Sequence, residues 1–322
     1  MRRVLLAAPR GYCAGVDRAI STVERALELY GAPVFVRRQI VHNTFVVEAL
    51  SRRGAVFVEE VDEVPAGSNL VLAAHGVSPA VRLRAEARSR RVIDATCPLV
   101  AKVHREAARF AEDGFDVLMI GDRDHDEVLG VAGEAPDRVH LVGTRADISA
   151  DGVQVADPDR VIWLSQTTMT IDDAEAAAAD LRARFPKLLD PPSDDVCYAA
   201  QNRQAAVRSI AAESDVVIVV GSSNSHNAAD LVQVARMAGP PAYLVDSAGH
   251  IDPAWVERAR TVGVASGASV PEILVRDVLS WLAACGFDAV EEREVARETA
   301  IFTLPAQLGR GYRPSDVDDS VA

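Results

Sequence analysis

Residues 3–30 read RVLLAAPRGYCAGVDRAISTVERALELY. Arg3–Ala8 is apolar after its first residue, which suits a strand buried on both faces. Pro9-Arg10-Gly11 breaks the run, and Asp17–Tyr30 alternates as an amphipathic helix should. Cys13 lies at the junction between the two. The unit is therefore strand, loop, helix, with a cysteine in the loop.

That unit recurs along the chain. Apolar runs at Pro33–Val36, Leu70–Ala74, Val92–Asp94, Val117–Ile120, Val161–Leu164, Val216–Val220 and Val262–Ala265 predict further strands. Amphipathic stretches at Ala80–Arg90, Val100–Asp113, Asp172–Phe185 and Gln201–Ser214 predict helices between them. Alternation of this kind predicts an α/β fold with parallel sheets and helical crossovers.

The loops at the strand ends also recur in a set order. Cys13 is followed by His42 and then His75-Gly76; Cys97 by His125 and Glu127 and then Thr167-Thr168; Cys197 by Ser225 and Asn227 and then Ser269. The distance from cysteine to second loop is similar in each cycle: 13 to 42, 97 to 125, 197 to 227. This predicts three degenerate copies of one α/β unit. The expected domains are residues 14–96, 97–193, and 194–285 together with 1–13, with a charged C-terminal tail over 286–322 whose last dozen residues are expected to be mobile. Loops at the carboxyl ends of parallel strands form ligand crevices, so three such units around one axis would aim all three cysteine loops at a central cavity.

Composition narrows the functional classes. The chain has 322 residues, 49% hydrophobic and 25% charged, ordinary values for a globular protein. No run of about 18 apolar residues predicts a membrane span. The short apolar run after Met1-Arg2-Arg3 falls below the roughly 7–15 residues of a signal-peptide core, so a cytoplasmic location is expected. A net charge of −13 argues against nucleic-acid and anionic-membrane surfaces. Four cysteines do not make a disulfide framework. Neither a P-loop nor a G-x-G-x-x-G is present.

Cys13, Cys97 and Cys197 precede predicted helices, where backbone amides favour thiolate. A lone buried cysteine usually serves packing, but three at equivalent points of a repeat suggest a soft metal centre. Zinc is one candidate, although zinc sites usually use local cysteine pairs, and none exists here. A three-cysteine [4Fe–4S] cluster, with one iron left open for substrate, suits three distant loops. Cys285 lies outside the pattern and is assigned to packing. His42, His75 and His125 each follow an apolar strand; each alone could be an ordinary loop histidine. With Ser225, Asn227 and Ser269 they make a donor-rich lining suited to a diphosphate, with Gly76 and Gly267 allowing close backbone approach. His104, His140 and His250 suit surface or core roles. Glu127 is either a proton donor to a departing hydroxyl or a solvated acid among Asp122, Asp124 and Asp126. Thr167-Thr168 either relays that proton or caps the following helix.

Several motifs carry a resemblance: Pro9-Arg10-Gly11-Tyr12-Cys13-Ala14-Gly15-Val16-Asp17-Arg18-Ala19, Ala74-His75-Gly76-Val77-Ser78, Asp94-Ala95-Thr96-Cys97-Pro98-Leu99-Val100, Ser165-Gln166-Thr167-Thr168, Cys197 to Gln204, and Gly267 to Glu272. From residue 3 to about 285 the chain resembles the IspH/LytB family of 4-hydroxy-3-methylbut-2-enyl diphosphate reductases. The resemblance implies three similar α/β domains with parallel sheets, in a trefoil arrangement around a central [4Fe–4S] cluster on Cys13, Cys97 and Cys197. It implies diphosphate contacts from His42, His75, His125, Ser225, Asn227 and Ser269, with position 226 among them. Glu127 matches the proton donor and Thr167 the partner of the substrate hydroxyl. The implied reaction is the last step of the non-mevalonate (MEP) isoprenoid route. Two electrons, from ferredoxin or flavodoxin, and two protons expel water to give isopentenyl and dimethylallyl diphosphates.

Two segments depart from the family pattern. Where the family reads Asn-Ser-Ser-Asn, this chain has Asn224-Ser225-His226-Asn227. Where the family reads Gly-His-x-Gly-His-Pro-Glu-Val-Glu-Gly, this chain has GDRDHDEVLG over residues 121–130. The imidazole of His226 is expected either to add a cationic donor or to narrow the pocket, altering diphosphate affinity or the preferred substrate. A hydro-lyase with one open iron would instead need a carboxylate substrate held by arginines, and the loops offer few beyond Arg10. A non-catalytic redox or metal sensor would leave the His/Ser/Asn lining and Glu127 unexplained.

Overall fold

The computed structural model describes residues 2–143 and 153–309. The expected mobility of the last dozen residues falls outside them. The described residues form three parallel sheets. The first has the order β3 (Ala55–Val58), β2 (Val34–Arg37), β4 (Asn69–Leu72), β5 (Arg91–Asp94). The second runs β7 (Val139–Gly143), β6 (Asp116–Ile120), β8 (Val161–Ser165). The third runs β10 (Ala242–Val245), β9 (Val216–Val220), β11 (Thr261–Ser266), β1 (Arg3–Ala8), β12 (Ala289–Glu294). Every strand pairing among the described residues is parallel.

Among the described residues the α-helices are α1 (Ala14–Tyr30), α2 (Thr44–Arg52), α3 (Pro79–Arg88), α4 (Pro98–Glu112), α5 (Asp126–Ala132), α6 (Ile171–Arg184), α7 (Tyr198–Ala211), α8 (His226–Met237) and α9 (Glu272–Ala284). None is long and apolar enough to cross a membrane.

Period-two alternation explains why the strands are apolar throughout. In the third sheet Val4, Leu6, Val216, Ile218, Val220, Val262 and Val264 pack into one core layer. Their neighbours Leu5, Ala7, Val217, Val219 and Ala265 pack into the other. The second sheet divides the same way, with Val117, Met119, Ile162 and Leu164 on one face and Leu118, Ile120, Val161 and Trp163 on the other. A sheet covered by helices on both faces leaves no polar side, which is why its strands carry no polar alternation.

The segment expected as a charged tail does more than trail. Its strand β12 pairs with β1 along six residues. It is charged because it is the sheet edge and faces solvent. The chain then crosses from the third domain to the first: Glu298 meets Arg203, the Thr303 carbonyl accepts from Arg18 Nε at 2.8 Å, and Leu308 is buried in the first domain's core.

Candidate active site

Each of the three cysteines is the N-cap of a helix: Cys13 of α1, Cys97 of α4 and Cys197 of α7. Each cysteine N–H donates to a carbonyl in the last loop of a repeat: Cys13 to Ala268 (3.2 Å), Cys97 to Ala74 (2.9 Å) and Cys197 to Thr167 (2.9 Å). The second loops also match. Asn43, His125 and Ser225 cap α2, α5 and α8 with their side chains. Before Cys197 the repeat is irregular: a single parallel bridge, Ile162 to Leu189, stands where the other copies have a strand.

The loops meet at one cavity of about 100 Å³. Cys13, Cys97, Cys197, His42, His75, His125, Glu127, Thr167, Thr168, Ser225, His226, Asn227 and Ser269 all line it. The remaining lining includes Val16, Val41, Ala74, Val100, Ala200 and Ala268, apolar residues that sequence reading did not single out. Their only sequence signal is adjacency to the motif residues.

All four cysteines are free thiols. A Cβ added at Gly15 would come within 2.6 Å of the Cys97 sulfur and 3.8 Å of the Cys13 sulfur. Glycine at that position therefore lets the two sulfurs approach one another over the start of α1. The Ala200 N–H donates to the Cys197 sulfur at 3.4 Å. Burial, with the Cys13 sulfur nearby, pushes the Cys97 thiol up to about 11 and the Cys197 thiol up to about 12. Three gathered sulfurs become stable thiolates when a cationic centre stands among them. The donor set fits a cluster held by three cysteines. Cys285 lies elsewhere, at the C-terminus of α9 against the third domain's core.

Glu127 is 1% exposed. Its Oε1 accepts the Thr167 N–H at 2.7 Å and its Oε2 accepts the Thr167 hydroxyl at 3.0 Å. Burial raises its carboxyl to about 7 despite these bonds. The solvated-acid reading of this residue therefore gives way to a buried carboxyl that can hold a proton near neutral pH. The helix after Thr168 is capped instead by Thr170, whose hydroxyl accepts from the Asp173 N–H.

His42, His75 and His125 form a compact cluster. Their nearest nitrogens lie within 4.8 Å of one another. His42 and His75 stack at 4.1 Å between ring centroids, and His125 stands edge-on to both. Burial, reinforced by mutual repulsion, lowers His42 to about 4, His125 to about 3 and His75 well below its ordinary value. The Glu127 N–H donates to Nδ1 of His125 at 3.2 Å, which leaves the His125 proton on Nε2. Both nitrogens of His42 and Nδ1 of His75 are buried without a hydrogen-bond partner among the described residues. Buried donors are rarely left unpaired, so these groups are arranged for a ligand.

The rest of the lining is held partly across domain boundaries and partly within the third domain. The Ser269 hydroxyl donates to the His42 carbonyl at 2.9 Å, and Asn227 Oδ1 accepts from the Ala268 N–H at 2.9 Å. That bond turns the Asn227 amide so that its NH₂ remains available. His226 pairs with Asp122, and Asp126 pairs with Arg38 at the mouth. The Asp124 N–H and then His226 hold the Asp122 carboxyl below its ordinary value. His104 serves structure: its Nδ1 pairs with Glu134 at 2.6 Å, and the ring occupies space that only glycine leaves at Gly76.

Sequence reading missed Arg203, which is 1% exposed. It donates to the Gly11 carbonyl at 2.7 Å and the Ala199 carbonyl at 3.0 Å and pairs with Glu298 at 2.9 Å. In this way it ties the Cys13 loop to the helix that begins at Cys197.

Comparison with known proteins agrees with this architecture. The family model described as LytB protein matches residues 4–283. The chain is 60% identical over 310 residues to the 4-hydroxy-3-methylbut-2-enyl diphosphate reductase of Acidothermus cellulolyticus, covering 96% of this chain and 91% of that protein. It is 60% identical over 308 residues to the reductase of the same name from Rhodococcus opacus, covering 95% and 91%. The solved structure of the E-1-hydroxy-2-methyl-but-2-enyl-4-diphosphate reductase from Plasmodium falciparum superposes with a TM-score of 0.91 at 35% identity, covering 95% of this chain and 96% of that one.

Proposed function

The chain belongs to the LytB protein family, and from that premise we propose that it reduces 4-hydroxy-3-methylbut-2-enyl diphosphate, the last step of the non-mevalonate route to isoprenoids. The substrate takes up two electrons and two protons. Its C–O bond breaks, water leaves, and the five-carbon products are isopentenyl and dimethylallyl diphosphates. One observation carries this reading: the three cysteines, the histidine cluster and the Glu127–Thr167 pair line one cavity.

Cys13, Cys97 and Cys197 would hold a [4Fe–4S] cluster, which supplies electrons and one open iron for the substrate hydroxyl. His42, His75, His125, Ser225, His226, Asn227 and Ser269 bind the diphosphate end. Burial, with repulsion from neighbouring cations, keeps the three clustered histidines neutral, and an incoming anion offsets both. Thr167 hydrogen-bonds the substrate hydroxyl, and Glu127 behind it keeps the proton that the leaving hydroxyl takes. The apolar wall of Val16, Val41 and Ala268 excludes water from the hydrocarbon segment. The electrons come from a one-electron carrier such as ferredoxin or flavodoxin.

The test is oxidation of reduced viologen by anaerobically purified, cluster-loaded protein. Turnover that depends on 4-hydroxy-3-methylbut-2-enyl diphosphate and yields both products supports the proposal. An intact cluster without turnover would overturn the substrate assignment.

A further inference from the structure

His226 and Asp122, which come from different domains, touch one another. Nε2 of His226, at the start of α8 in the third domain, is hydrogen-bonded to Oδ2 of Asp122, in the loop after β6 of the second. Asp122 is fixed from its own side. Its Oδ1 accepts the Asp124 N–H at 3.0 Å, and its backbone N–H donates to Gln166 Oε1 at 3.1 Å. The His226 ring stands edge-on to His125, at 4.7 Å between centroids and 84° between planes. The histidine cluster therefore continues to a fourth ring. Nδ1 of that ring is buried and has no hydrogen-bond partner among the described residues.

We propose that Asp122 is a positioning residue for diphosphate binding: it holds His226 against the cluster so that its ring serves the diphosphate as a fourth imidazole. This inference rests on the diphosphate-reductase reading of the cavity. The His226 side chain is 39% exposed, so packing alone does not fix the ring. The Asp122 carboxylate does so by accepting the proton on Nε2, which settles the tautomer. Held this way, the ring stays in the cavity lining against His125, with Nδ1 left for a hydrogen bond to the diphosphate group. Removing Asp122 leaves the imidazole present but unaimed. The loss falls on binding of the anion, because among the described residues Thr167 hydrogen-bonds Glu127 rather than either side chain of the pair.

The experiment compares cluster-loaded wild type with Asp122→Ala, Asp122→Asn, His226→Ala and the Asp122→Ala/His226→Ala double variant. Each is assayed for viologen-coupled turnover and for binding of inorganic diphosphate by calorimetry. Asp122→Ala is expected to raise KM about tenfold with kcat changed less than about twofold, the pattern of lost ground-state binding. Asp122→Asn should lose less, since its amide oxygen still accepts the Nε2 proton. The double variant should bind no more weakly than His226→Ala, because the two residues act as one unit. Unchanged KM and unchanged diphosphate affinity in Asp122→Ala, additive losses in the double variant, or a fall in kcat alone would each overturn the proposal. Absence of wild-type turnover with the same coupled losses in diphosphate affinity would overturn the reductase reading and leave Asp122 as the positioning residue. Normal wild-type turnover with no such losses would do the reverse.

Discussion

Both carboxylate oxygens of Glu127 are taken by one residue, Thr167: the backbone N–H reaches Oε1 at 2.7 Å and the hydroxyl reaches Oε2 at 3.0 Å. The two residues come from different segments of the second domain, the start of α5 and the loop after β8. Their pairing leaves a carboxyl poised near 7 beside a hydroxyl that faces the same cavity.

Glu127→Gln keeps the size and the hydrogen bond from the Thr167 N–H but has no proton to give. Turnover is expected to fall by a factor on the order of 10² or more. Cluster content, read from visible absorption, should be unchanged. Wild-type rates retained by this variant would remove Glu127 from the proton path.

The pH dependence of stability follows from opposed shifts. Histidine groups with lowered values remain neutral in the fold while the unfolded chain takes up protons below 6.5. The His42 and His125 contributions therefore weaken the fold as pH falls from 6.5 toward about 4 and about 3. Glu127 acts the other way: it is protonated in the fold below about 7 but only below 4.5 when unfolded, so acidification across that window stabilises. Asp230, raised to about 7 by burial, acts with Glu127, while carboxyls held below their ordinary value, such as Asp94 and Asp122, act with the histidines, so urea midpoints are expected to fall on acidification. Glu127→Gln should make the fall steeper, because it removes one opposing contribution.

Cluster retention separates the cysteines by position. Cys13→Ser, Cys97→Ser and Cys197→Ser are expected to lose the visible absorption of the cluster and all turnover. Cys285→Ser, at a helix end against the core, should keep both. Gly15→Ala should behave like a cysteine variant, since its Cβ would meet the Cys97 sulfur at 2.6 Å. Elemental iron analysis checks each case.

Arg203→Met tests the tie between the Cys13 loop and α7. It leaves the Gly11 carbonyl without its donor and Glu298 without its cation. The expected loss is about 3 kcal/mol in urea unfolding, as for other broken buried pairs. Glu298→Gln should cost less, because that side chain is partly exposed and the guanidinium keeps two carbonyl partners.

Much of the architecture was legible in the residues. The strands of the three sheets read as apolar runs because helices cover both faces, and burial on both faces leaves a composition that does not depend on tertiary detail. The three cysteines read as a set because each repeats one local grammar of strand end, cysteine and helix start. Weak spots had local causes. The strands β3, β7, β10 and β12 lie outside the runs singled out in sequence, and β12 is a charged edge. Asp122 and Arg203 resemble any other charged residue in a loop or helix.

What the sequence determined by itself was therefore local or periodic: fold class, threefold pattern, the cysteine set and the polar residues at the loop tips. Only the tertiary structure decided which of those residues meet. The His226–Asp122 pair spans 104 positions and the Arg203–Glu298 pair spans 95. Contacts at that separation depend on how three domains close around a cavity, and no local propensity encodes them. Protonation belongs to the same class, since the carboxyl of Glu127 and the imidazoles of His42 and His125 are shifted by burial that exists only once the chain is folded.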